Sequence, residues 1–62
     1  MEKEKRHLIQ EKVDELVHEY EVKSEEAKSK GDLSTAFAMT MAQNGVLRLS
    51  YEILSLDALG KI

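Results

Sequence analysis

The sequence predicts an all-α protein, a two-helix antiparallel hairpin that dimerises into a four-helix bundle. Three observations carry that prediction. Before Gly31 the apolar residues fall on one stripe at helical spacing, after it they cover most of a helix circumference, and no proline interrupts either half. The 62 residues form one helical-hairpin domain, residues 1–62, with a first helix over about 3–30, a turn at 31–32 and a second helix over about 33–58.

The first helix is read from Ile9, Val13, Leu16, Val17, Tyr20 and Ala27, which fall within an arc of roughly 100° at the helical repeat. Its other faces are charged. Glu11, Asp14, Glu15, Glu21 and Glu25 lie opposite the stripe, and Lys5, Lys12, Lys23 and Lys30 run along one shoulder, where their stems can cover apolar surface while the ammonium groups stay in water. The turn is read from Gly31-Asp32, a helix C-terminal glycine followed by a helix start, with Asp32 or Ser34 as N-cap. So short a connection makes the two helices antiparallel neighbours.

The second half differs in character. Sixteen of the 21 charged residues precede Gly31, whereas 16 of the 27 residues from Leu33 to Leu59 are apolar, more than one stripe can hold. Leu47, Tyr51, Leu54 and Ala58 form one ridge. Val46, Leu49, Ile53 and Leu56 form a second, with Asn44, Arg48, Glu52 and Ser55 left as a polar strip. Asn44-Gly45 between alternating apolar runs is also a β-hairpin signal. Pairing those runs would mix Phe37, Met39 and Met41 with Arg48, Ser50 and Glu52 on one face, and Ala and Met favour helix, so the continuous helix is preferred. Gly45 is then either a weak point or a close contact between helices.

One amphipathic helix covers one ridge. The intrachain seam is accordingly assigned to Ile9, Val13, Leu16 and Tyr20 against Leu47, Tyr51 and Leu54, and self-association to Val46, Leu49, Ile53 and Leu56. Burying those four side chains is worth roughly 6 to 12 kcal/mol per chain, against an association cost of about 4 to 15 kcal/mol, so a two-fold dimer is favourable. Size points the same way. A chain this short buries only about 60% of its unfolded surface, and without cysteine it has no disulfide to compensate.

No cofactor or metal is assigned. Glu15 and His18 make a Glu-x-x-His pair that, doubled and joined by Glu52, matches the ligand inventory of di-iron bundles, but both point away from the apolar stripe. His7 with Glu11, and Asp14 with His18, are four apart and read as solvated helix-supporting pairs. Cysteine is absent, no serine stands by a histidine in an apolar setting, and Gly31, Gly45 and Gly60 form no phosphate loop, so the chain is read as no enzyme. Lys3, Lys5, Arg6 and His7 are interleaved with Glu2 and Glu4, which weakens any field for phosphate.

The functional expectation is a non-enzymatic, protein-binding regulator or adaptor, with the profile of small inhibitors, antirepressors and chaperones. Its partners are a second copy and another protein, which meets an acidic surface of Glu11, Asp14, Glu15, His18 and Glu25. Phe37, Met39 and Met41 could serve as an adaptable docking patch or as core filling. An RNA- or DNA-binding dimer and a structural subunit of a larger helical assembly are the alternatives. A net charge of -3 counts against nucleic acid, and the lack of a signal-like or membrane-length apolar run gives a cytoplasmic expectation without membrane contact.

Overall fold

The computed structural model describes residues 2–62 and contains two packed helices, α1 over Lys3–Ser29 and α2 over Leu33–Ala58. α1 is built from good helix formers and is laced along its surface. The Gln10 amide donates to Asp14 Oδ1 at 3.1 Å, His7 Nε2 meets Glu11 at 3.0 Å and Lys23 meets Glu19 at 3.3 Å, all one turn apart. Such pairs contribute only a few tenths of a kcal/mol each. They lower the cost of keeping a largely polar helix formed.

The turn is chemically specified. Gly31 takes φ 76°, the left-handed conformation that costs a Cβ-bearing residue most, and this lets two backbone bonds close the end of α1. The Gly31 N–H donates to the Lys28 carbonyl at 3.0 Å and the Asp32 N–H to the Ala27 carbonyl at 2.9 Å, a Schellman pair. Asp32 then begins α2 by accepting from the Thr35 N–H at 3.1 Å, so the cap is Asp32 and not Ser34. Hydrogen bonds from the Thr35 hydroxyl and backbone N–H hold the Asp32 carboxyl below its ordinary pKa.

Asn44 and Gly45 lie inside α2, where the two alternating runs become helical faces. A Cβ added at Gly45 would meet nothing within 4 Å, so this glycine is a weak point of the helix and marks no close approach.

The seam between the helices is narrow and small. Its buried residues are Ser24 and Ala27 on α1, and Ala36, Ser50 and Asp57 on α2. At the turn end the Ser24 hydroxyl crosses to the Ala36 carbonyl at 3.2 Å and lies 3.3 Å from the Thr40 hydroxyl, which also reaches that carbonyl. A side chain of α1 therefore touches the backbone of α2, which requires small residues there. At the open end Arg6 and the buried Asp57 form an ion pair at 2.6 Å.

The result is a single layer, with Cα extents of 45 × 17 × 8 Å and a radius of gyration of 14.3 Å, against about 10.6 Å for a compact domain of this length. Among the described residues no third helix covers either broad face of that layer.

Candidate interaction surface

The seam fixes which residues look out of the layer. On α2, the line Ala36, Gln43, Ser50 and Asp57 recurs every seven residues and faces α1, all but the half-buried Gln43 being buried. On α1 the corresponding line is Arg6, Val13, Tyr20 and Ala27. Residues about 50° to either side of these lines flank the seam, the apolar ones away from the helix ends half-buried, and those about 100° away stand perpendicular to the layer. Because the helices are antiparallel right-handed spirals, rotation in the same sense brings both to the same broad face.

One broad face is marked by the Ser24 and Thr40 hydroxyls and by a groove lined by Lys3, Arg6, His7, Gln10 and Leu54. It carries half-buried Val17, Leu47 and Leu54, with Phe37 and Tyr51 standing out beyond them, 69% and 68% exposed. The other face carries half-buried Ile9, Leu16, Met39, Val46 and Ile53, with Leu49 and Leu56 standing out, 58% and 40% exposed. Below they are called the Tyr51 face and the Leu49 face.

This distribution differs in detail from the two-ridge expectation. Ile9, Val13, Leu16, Tyr20, Leu47 and Leu54 are half-buried in the hairpin, but Tyr51, assigned to the intrachain seam, is exposed. Of the self-association ridge, Val46 and Ile53 already lean on α1, while Leu49 and Leu56 remain open. The physical reason is that small residues occupy the centre of contact, so the large ones flank it on both sides of the layer. Ala36, Ser50 and Asp57 were not singled out by apolar periodicity. The signal that finds them is their spacing of seven together with their small or short side chains.

Among the described residues no large apolar side chain is fully buried, and Leu8, Leu33, Met41 and Leu59 are exposed as well. The chain exposes 4882 Å². A compact monomer of 7.1 kDa exposes about 4,100 Å², so the excess is about 800 Å². That is close to the roughly 800 Å² each partner contributes to a standard protein interface.

The acidic set Glu11, Asp14, Glu15, His18 and Glu25 is exposed on α1. Glu11 is paired with His7, Glu15 with Lys12 at 3.5 Å and Glu25 with Lys28 at 3.6 Å, all along the helix surface. No three His, Asp or Glu side chains among the described residues are grouped to hold a metal ion. In the basic N-terminal segment, Arg6 is engaged with Asp57 across the hairpin. Among the described residues no helix is long and apolar enough to cross a membrane. No family model, curated protein or solved structure matches the chain.

Proposed function

We propose that this chain is a non-enzymatic protein-binding regulator or adaptor that acts as a homodimer. Dimerisation through α2, on the Leu49 face, makes a four-helix bundle, and the dimer then binds a second protein. The observation that carries this reading is the open apolar row on α2, with Leu49 and Leu56 exposed, on a hairpin that among its described residues fully buries no large apolar side chain and exposes about 800 Å² more total surface than a compact monomer of its mass. Val46, Leu49, Ile53 and Leu56 supply the self-association surface.

With the Leu49 face occupied, Phe37 and Tyr51 stay open on the far side, where α1 presents the row His7, Asp14, Glu21 and Lys28, with Asp14 level with Tyr51. The exposed Tyr51 with the Asp14 carboxylate at its level suits a partner segment that is both apolar and basic. The acidic outer surface of α1, with Glu11, Glu15, His18 and Glu25, extends that field.

Sedimentation of the purified protein, paired with affinity capture from its native host, tests the reading. The expected result is a dimer whose capture of a specific protein is lost on Tyr51→Ala or Phe37→Ala while dimerisation persists. A chain that sediments as a monomer at every concentration removes the dimer from the reading.

A further inference from the structure

The Leu49 face has a charge order that selects its occupant. Standing perpendicular to the layer on this side, α1 carries the row Lys5, Lys12, Glu19 and Glu26, all exposed and each seven residues from the next. The corresponding row on α2 is Thr35, Ala42, Leu49 and Leu56. Along these rows one helix offers charges to a covering layer and its neighbour an uncharged row that is apolar beyond Thr35.

Two such layers can stack on this face about a two-fold axis in two ways. If α1 lies over α2 of the second copy, Lys and Glu are pressed on Leu49 and Leu56, and both surfaces lose. If α1 lies over α1 and α2 over α2, like meets like in polarity and the helices run antiparallel. In that second arrangement an axis midway between Lys12 and Glu19 sets Lys12 opposite Glu19 of the second copy and Lys5 opposite Glu26. Every charge in the row then meets its opposite, twice over by symmetry. Moving the register by one heptad in either direction sets Lys12 against Lys12, or Glu19 against Glu19.

The apolar row of α2 tolerates several registers, so the charges of α1 choose one, as flanking charges do in coiled coils. The hairpin's own alignment, with Arg6 beside Asp57 and Ser24 beside Thr40, carries the same axis across α2 between Val46 and Leu49. The axis therefore crosses the middle of the apolar stripe. The Tyr51 face behaves in the opposite way. Its α1 row is His7, Asp14, Glu21 and Lys28, and the equivalent two-fold would oppose Asp14 to Glu21.

We infer that the occupant of the Leu49 face is a second copy of this chain, stacked antiparallel with α1 on α1, and that Lys5, Lys12, Glu19 and Glu26 set its orientation and register. This rests on the dimer reading above and adds what that reading leaves open. Lys12 and Glu19 also have partners on their own helix, Glu15 and Lys23. Those pairs are exposed and weak, and they leave the carboxylates and ammonium groups free to be shared.

The test is a charge exchange. Lys5→Glu with Lys12→Glu makes the row wholly acidic, and Glu19→Lys with Glu26→Lys makes it wholly basic. Each double variant alone should dimerise at least about tenfold more weakly than wild type, and a mixture of the two should form a heterodimer with at least wild-type affinity. Helicity by circular dichroism, measured on both variants, separates loss of dimer from loss of fold. As an independent readout, Lys5→Cys mixed with Glu26→Cys should give a disulfide-linked pair. Lys5→Cys alone should not, since its two copies would lie about 30 Å apart.

If Leu49→Glu abolishes the dimer but both charge variants dimerise as wild type does, the dimer stands and the inferred orientation is overturned. Ready cross-linking of Lys5→Cys to itself overturns it as well. A wild type that is monomeric, or whose Leu49 face is occupied only by a different protein, sinks the dimer reading and this inference with it.

Discussion

Leu49 separates the energetics of association from those of the hairpin. Its side chain is 58% exposed, so α1 supplies little of its burial within one chain. Fully burying a leucine is worth roughly 1.5 to 3 kcal/mol, and the share still exposed corresponds to roughly 1 to 1.7 kcal/mol per chain. A two-fold interface counts it twice, giving about 2 to 3.5 kcal/mol per dimer, or about 30- to 400-fold in the dimer dissociation constant. Leu49→Ala should fall near the lower end. Leu49→Glu should go beyond the upper end, because it adds a carboxylate to the apolar row. Neither change removes a contact the single hairpin depends on, so the helicity per chain should persist. Ile53→Ala, at a half-buried position against α1, should weaken hairpin and dimer together. Sedimentation equilibrium over a concentration series, with circular dichroism on the same samples, reads both quantities. If Leu49→Ala leaves the dissociation constant within about threefold of wild type, the placement of Leu49 in the interface is refuted.

Gly45→Ala should stabilise the protein by about 0.5 to 1 kcal/mol, visible as a rise in Tm, since the added Cβ enters open space and the helix loses its most flexible residue. A fall in Tm would place a neighbour against Gly45. Ser24→Val should destabilise by about 1 to 3 kcal/mol in chemical denaturation, because it overfills the closest approach of the helices and removes the bond to the Ala36 carbonyl. An unchanged denaturation midpoint would show that the seam has room. Asp32 gives a pH prediction: its folded pKa lies below the ordinary 3.8, so its capping contribution is complete above that value and is lost as pH falls through the lower folded one. Asp32→Asn should keep the neutral-pH Tm and remove this part of the acid sensitivity, whereas Asp32→Ala should lower Tm at neutral pH. Equal Tm values for Asp32→Ala and Asp32→Asn would show that the cap does not matter.

The sequence by itself determined the two helices and the turn, because those depend on local chemistry. The apolar spacing of Ile9, Val13, Leu16 and Tyr20 reports a period, Gly31 reports a left-handed residue, and Asp32 reports a cap, none of which needs a distant contact. The asymmetry between a polar α1 and an apolar α2 was equally legible, and with it the excess of apolar surface. Only the tertiary structure decided the rotation of each helix about its axis. Apolar spacing places a residue on a helix face but does not say which of several apolar faces another helix will take. On α2 the competition was settled by size, not hydrophobicity: Ala36 and Ser50 let the backbones approach, and the Ser24 hydroxyl crosses to the Ala36 carbonyl. Close approach turned Tyr51 outward and left Val46 and Ile53 half-buried at the margin of the seam. It also set Lys5, Lys12, Glu19 and Glu26 on the same side of the layer as Leu49 and Leu56, a relation between two helices that no single-helix pattern contains.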